Sequence, residues 1–537
     1  MSTDAGDHLE GTVSEGLPAR RGESPGPWTG TEPPPHLEPA RIARLSPVAA
    51  IAIATLSVGV LAVAASSIAG LRNFSDVGYP DSATLLRVGE FVHSGKIYPD
   101  FRAPPYLVSL YGPLTYVLLG IPYTIAETMG VEPRVALKLG VFAAWCACLV
   151  LVFFIGRRVN RSATAGLVSA LFAASLLPMA GSTTQLRGDF PALAFSLLSI
   201  YLLLRAGEHT TSAGAIIAAG AALLVKQTFV AVPVGITVWL LWGRHWRAAA
   251  VWVVSIAGLV AAGYAVAWYR EPLFADHLAA LRRPIFEFRE VPEILGEAVR
   301  QLCVPFAIVG GLVAVRRRTA AASLPVAVAL SSWLVAVATI PQVGGSINYF
   351  WEPLCISAVL AATGLLEIHR RVGTAPPLVT ALVTILLLGW AGPLVTGDLA
   401  ELKAQYRAAR SFNARRATWL RFSHALAGHR LLSSDSPIAI LSSTPEMPDP
   451  YVNSILNRGG IWSFQPVLSN IAAHRYEAIV LVPGQTSDNI GYRGIQIWSD
   501  EMWSTITREY RLACVAADRE IWLPRDAAND LCAALRR

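Results

Sequence analysis

The sequence predicts an α-helical polytopic membrane protein of about eleven transmembrane helices, carrying a small C-terminal α/β domain. Three observations predict it. Of 537 residues, 53% are apolar and 15% charged, against about 25% charged in a soluble domain, and the mean hydropathy is +0.46. The apolar residues fall in blocks divided by short clusters rich in Arg, Gly and Pro, as repeated spans require. After Val395 the blocks stop, and the chain turns polar for long enough to form one small domain.

In chain order, residues 1–45 hold no apolar run and collect Pro25, Pro27, Pro33, Pro34 and Pro35 among Gly, Glu and Ser. They read as a disordered cytoplasmic tail without a cleavable signal peptide. Residues 46–397 read as the membrane domain, with candidate spans at 48–70, 139–155, 163–180, 190–204, 213–225, 229–242, 248–268, 302–315, 320–340, 353–366 and 378–395. Several are shorter than the roughly 20 residues that cross about 30 Å, which marks broken helices or blurred boundaries. The apolar stretch 114–125 is assigned to a juxtamembrane helix. With the N-terminus inside, Arg157, Arg158 and Arg161, then Arg205, Arg244, Arg247, Arg316 to Arg318, and Arg370 with Arg371 all fall on the cytoplasmic side. The positive-inside rule asks for that arrangement. The first loop (72–113) and the whole of 398–537 are then extracytoplasmic, and a high Ala and Arg content suits a bacterial plasma membrane.

The formal charge is +7, but the basic residues sit at the ends of apolar segments, where topology signals belong, so nucleic acid is not an expected partner. In the C-terminal region, 438–441, 478–482 and 521–523 read as strands and 503–510 as a helix, with no nucleotide-binding glycine loop or catalytic triad signature. Trp462, Trp498, Trp503 and Trp522 there read as core packing ahead of sugar stacking. Cys146, Cys148, Cys303 and Cys355 lie inside apolar segments without metal-ligand spacing. Cys514 and Cys532 are either a disulfide, given an oxidising compartment, or two free thiols.

The assigned topology gathers ionisable and polar residues on the outer face: Asp76, Asp81, Tyr98 and Asp100, then Arg187 and Asp189, then Lys226 and Gln227, then Asn348 and Tyr349. Several stand at span ends, where a misplaced charge costs about 2.5 to 3.5 kcal/mol on insertion scales. Transfer from a lipid phosphate needs a base for the acceptor proton and cations for the departing phosphate. Asp81 or Asp76 fits the base, Lys226 and Arg187 the phosphate, and Asp189 an orienting partner. Simpler readings stand beside these. Lys226 and Arg187 could snorkel, Arg187 and Asp189 could form a local ion pair, Tyr349 could belong to an aromatic belt, and Asp76 could cap a turn.

The order of these features resembles the GT-C glycosyltransferases, in particular the branch of protein O-mannosyltransferases and lipid A aminoarabinose transferases. In that branch the first outer loop carries an Asp-Glu pair, a helix, a Gly with a following aromatic, and a Pro-rich return to the membrane. Here Asp81 is followed by Gly95, Tyr98, Asp100, Pro104, Pro105 and Tyr111-Gly112-Pro113, with Ser82 in place of the Glu. Gln185-Leu186-Arg187-Gly188-Asp189-Phe190-Pro191 is similar to a later outer loop of the family, and Lys226 to a lysine on the carrier phosphate. Gly345-Ser346-Ile347-Asn348-Tyr349-Phe350 resembles a run in members of the same group.

The resemblance implies an inverting glycosyl transfer from a polyprenyl-phosphate sugar, with Asp81 as the catalytic Asp, no obligatory cofactor, and divalent metal left open. The C-terminal domain would shape the site for an acceptor that is a glycan, lipid or protein. The rival classes are a lipid or solute transporter and an inactive membrane scaffold, the latter kept open by Ser82.

Overall fold

The computed structural model describes residues 47–71, 81–176, 179, 181–207, 211–280, 286–317, 319–342, 345–372, 375–484, 486, 496–528 and 530–536. The tail 1–45 lies outside the described residues, as does Asp76.

Helix α1 (Pro47–Leu71) is followed by α2 (Asp81–Ser94), α3 (Pro113–Thr128), α4 (Pro133–Asn160) and α5 (Ala163–Ala174). Helices α3 and α4 both open on proline, whose missing N–H costs nothing in a first turn. Arg161, in the left-handed conformation, closes α4, and Ser162 caps α5 by accepting from the Ala165 N–H. Next come α6 (Asp189–Ala206), α7 (Ala213–Val225), α8 (Ala231–Trp242), α9 (Trp246–Arg270), α10 (Phe274–Ala280), α11 (Val291–Val299), α12 (Cys303–Arg317) and α13 (Ala320–Thr339). A 3-10 turn, Ile347–Phe350, leads into α14 (Trp351–Val372), and α15 (Pro377–Leu426) completes the bundle.

Seven of the described helices are long and apolar enough to cross a membrane, and α11 with α12, bent by 67°, makes an eighth. The shorter apolar helices α5, α7 and α8 bring the positions to the eleven read from sequence. At 1.5 Å per residue α7 covers about 20 Å, short of the roughly 30 Å hydrocarbon core. Non-helical backbone at such a break is tolerated where it lines a cavity, and Lys226, Thr228 and Phe229 do line one. Helix α15 runs unbroken for 50 residues, about 75 Å, so the polar region read as starting at residue 398 begins midway along a helix.

Beyond α15 a four-stranded sheet has the order β1-β2-β4-β3, with β1 (Leu431–Ser433), β2 (Ala478–Leu481), β3 (Tyr510–Ala516) and β4 (Arg519–Pro524). β1 and β2 are parallel, while β2 with β4 and β4 with β3 are antiparallel, with an irregularity between Leu512 and Cys514. The expected strand at 438–441 is not one. Pro437 near the first position and Asp435 at the cap start a short helix instead, α16 (Ser436–Ala439), and the buried Leu431 and Leu432 upstream form the strand.

One sheet face packs on Phe422 and Leu426 of α15 and on α20 (Asp530–Arg536). The other packs on α17 (Pro450–Arg458), α18 (Gln465–Ala472) and α19 (Asp500–Glu509), and on Phe101, Tyr106 and Val108 of the first loop. The loop therefore supplies part of the domain's core. Met447 N–H donates to the Pro105 carbonyl at 3.0 Å and Asn453 Nδ2 to the Tyr106 carbonyl at 2.6 Å. Cys514 and Cys532 are joined as a disulfide, tying β3 to α20. Trp462 and Trp498 are buried, whereas Trp503 and Trp522 are half-buried and meet edge to face at 5.7 Å.

Candidate active site

Two buried ionic clusters lie at one end of the bundle, where α1, α6 and α4 meet. The first centres on Asp81, the opening residue of α2. Its Oδ1 accepts the Leu186 N–H at 2.8 Å, and its Oδ2 is 3.5 Å from Lys138 Nζ. Lys138 also donates to the Gly70 carbonyl at 3.1 Å, which fixes the end of α1 against the start of α4. One turn earlier, Arg134 donates to Ser82 Oγ at 2.7 Å. Burial pushes the Asp81 carboxyl above its ordinary value, and the Lys138 charge opposes that rise without cancelling it.

The second cluster centres on Asp189, the first residue of α6. Its Oδ1 is 2.6 Å from Lys226 Nζ and accepts Asn348 Nδ2 at 2.8 Å. Ser346 Oγ lies 2.5 Å from Asn348 Oδ1 and orients that amide, and Lys226 sits 5.6 Å from the centre of the Tyr349 ring. Asp189, Lys226, Thr228, Asn348, Tyr349 and Glu352 share the lining of a narrow cavity. Oδ2 of Asp189 and Oε1 of Glu352 are buried without a hydrogen-bond donor.

The backbone from Leu186 to Asp189 joins the clusters, and Arg187, half-buried between them, acts electrostatically on both carboxylates. The Tyr111-Gly112-Pro113 motif docks against the same place. Gly112 N–H and Thr115 Oγ1 both donate to the Val225 carbonyl, at 3.0 and 2.7 Å, immediately before Lys226. A Cβ on Gly112 would stand 2.1 Å from the Leu224 carbonyl oxygen, so this approach demands glycine.

Among the sequence candidates, Asp189, Lys226, Asn348 and Tyr349 form one cluster, and Arg187 lies between it and Asp81. Tyr98 stands apart from both, buried against Phe274 and His277, with its hydroxyl donating to the Tyr111 carbonyl at 3.1 Å. Its place is in a clamp on the first loop. The Glu271 carboxylate accepts the N–H groups of Ile97 and Tyr98 at 2.5 to 2.9 Å. His277 Nδ1 accepts the Ser109 N–H at 3.0 Å, and its Nε2 donates to the Pro99 carbonyl at 2.8 Å. Both ring nitrogens are thus engaged by a neutral imidazole, and burial lowers its pKa to about 4.

Sequence reasoning missed Arg134, Lys138 and Glu352. The signals were present: Arg134 and Lys138 are spaced i, i+4 on one helix face, and Glu352 is a lone acid entering an apolar run. No group of three His, Cys, Asp or Glu fit to hold a metal exists among the described residues.

Residues 115–268, from α3 to α9, match the family model described as dolichyl-phosphate-mannose-protein mannosyltransferase. Asp189 and Lys226 fall inside the match. No curated protein matches the chain by sequence. Among solved structures, ArnT from Cupriavidus metallidurans in the apo state is similar at 13% identity and TM-score 0.54, covering 90% of this chain and 98% of that one. The archaeal oligosaccharyltransferase AglB from Archaeoglobus fulgidus, in complex with an inhibitory peptide and a dolichol-phosphate, is similar at 12% identity and TM-score 0.50, covering 85% and 72%. Residues 115–268 thus resemble a protein mannosyltransferase family model, and the fold of the chain is similar to the folds of the membrane proteins ArnT and AglB.

Proposed function

We propose that the protein transfers a sugar from a polyprenyl-phosphate donor to an acceptor hydroxyl, with inversion, at the membrane face that carries the C-terminal domain. The observation behind this reading is the convergence of two buried carboxylate–cation clusters on the segment Leu186 to Asp189. Asp81 is the base. Its raised pKa makes the ionised form a stronger proton acceptor. Arg187 and Lys226 hold the donor phosphate and stabilise the charge that builds on it as the glycosidic bond breaks. Asn348 and Asp189 fix the position of Lys226. Asp76 remains an alternative carboxylate for the acceptor.

Ser82, where the family carries Glu, hydrogen-bonds Arg134, so the second carboxylate's place at this site is taken by a neutral group facing a cation. The disulfide supports placing the C-terminal domain on an oxidising, extracytoplasmic side. The domain shares its core with the first loop and helps to shape the acceptor entrance.

The test is transfer or release of label from polyprenyl-phosphate sugars by the reconstituted protein, with Asp81→Asn and Lys226→Ala beside wild type. Wild-type turnover lost in Asp81→Asn supports the base. Turnover insensitive to both changes overturns the site, and no wild-type turnover with any carrier sugar overturns the activity.

A further inference from the structure

The other end of the bundle carries a second polar site. Helix α4 runs from Lys138 to Arg157 over 19 residues, about 28 Å, so Arg157, Arg158 and Arg161 lie far from both ionic clusters. A cavity of about 670 Å³ opens among them, within the range of about 300 to 1,000 Å³ typical of ligand sites. Its lining joins two chemistries: the three arginines, and an apolar part that includes Phe154, Tyr201 and Leu324. Phe154 and Tyr201 approach with ring centres 5.7 Å apart.

The arginines are not equivalent. Arg158 donates from Nε to the Leu204 carbonyl at 3.0 Å and from a terminal nitrogen to the Arg205 carbonyl at 3.4 Å, capping the last turn of α6. Arg157 and Arg161 are exposed and pair with no carboxylate among the described residues. A topology signal needs only positive charge at a span end. It does not need a walled cavity with an apolar flank. One turn before Phe154, Val150 is 53% exposed, which continues the apolar flank along the outer surface of α4.

We propose that this cavity binds the phosphate headgroup of an anionic membrane lipid, with Arg157 and Arg161 on the phosphate oxygens and the upper acyl chain along Phe154 and Val150. Guanidinium groups match phosphate oxygens as a fork, and basic pockets between membrane helices suit such headgroups. The apolar flank favours a lipid over a free anion.

The probe is phosphatidylglycerol, offered to the full-length protein in neutral detergent and read by native mass spectrometry against phosphatidylcholine. Wild type should retain phosphatidylglycerol in preference, and Arg157→Gln with Arg161→Gln should cut that retention roughly tenfold or more. The pair Arg157→Lys with Arg161→Lys keeps the topology charge and loses the fork, so it should retain less than wild type even where the Gln pair fails to insert. Equal retention by the Lys pair, equal retention of phosphatidylcholine by wild type, or full displacement of the lipid by inorganic phosphate each overturns the proposal.

Discussion

The ammonium of Lys226 stands 2.6 Å from Oδ1 of Asp189, and the same oxygen accepts Asn348 Nδ2 at 2.8 Å. One carboxylate oxygen carries both bonds while its twin is buried without a donor. A pair so desolvated is costly to break from one side, because the remaining charge is left uncompensated. Lys226→Ala alone should therefore lower stability by about 3 to 5 kcal/mol, and its loss of turnover would be ambiguous. The double variant Asp189→Asn with Lys226→Gln removes both charges and should recover most of that stability while remaining inactive. Thermal unfolding and label transfer, measured together, decide it. A double variant that recovers turnover would make the pair structural only.

Asp81→Asn keeps an oxygen for the Leu186 N–H and removes the charge and the base. Turnover should fall by about 10²- to 10⁴-fold, the usual weight of general base catalysis, with the fold retained. The pH profile gives an independent reading. A base works only when deprotonated, so the wild-type rate should fall with acid through a limb lying above the ordinary carboxylate range, because burial raises the Asp81 pKa. A limb at the ordinary value, near 3.9, would argue that Asp81 is not the titrating group.

Two buried groups outside the spans give opposite slopes of stability with pH. The Asp449 carboxyl, 3% exposed and bonded to the Val452 N–H at 3.2 Å, is pushed up to about 7 by burial. Its folded form binds a proton more tightly than the unfolded chain, so its contribution falls as pH rises from about 4 to about 7. Asp449→Asn keeps the cap and should match wild type near pH 4 while becoming the more stable protein near pH 8. His277 runs the other way. With its pKa lowered to about 4, it is protonated in the unfolded chain first, so its contribution is lost as pH falls from about 6.5 to about 4. His277→Gln should lose its deficit against wild type over that window. Melting curves for both variants across pH check both signs, and parallel curves would refute them.

Much of the architecture was legible because bilayer thickness imposes itself on composition. Each of the eleven candidate spans overlaps a helix, although the one read as 163–180 has its helix only over Ala163–Ala174, and proline at Pro113 and Pro133 marks two true helix starts. The site was half legible. Asp189, Lys226 and Asn348 were visible as charges and amides at span ends, but Arg134 and Lys138 were hidden because the span seemed to begin at Leu139. Only a helix that starts at Pro133 puts them on one face toward Asp81 and Ser82. The clamp from Glu271 and His277 onto the first loop joins residues more than 160 positions apart, and no local pattern announces such bonds. The strand misread at 438–441 shows the local limit: four apolar residues after Pro437 fit a strand or a buried helical turn equally well.

The Cys514–Cys532 bond closes a loop of sequence separation 18 between β3 and α20. In the chain-entropy picture, a crosslink over about 15 residues stabilises by about 3 kcal/mol through its restriction of the unfolded chain. Both sulfurs are buried against the sheet face that rests on α15, so Cys532→Ala also removes some packing. The variant should lose about 2 to 4 kcal/mol, read as a lower melting temperature of the full-length protein. Wild type melted in reductant should fall toward the variant, and the variant itself should not respond. A reductant-insensitive wild type that melts with Cys532→Ala would mean that the thiols are unpaired, removing the support they lend to an oxidising side for this domain.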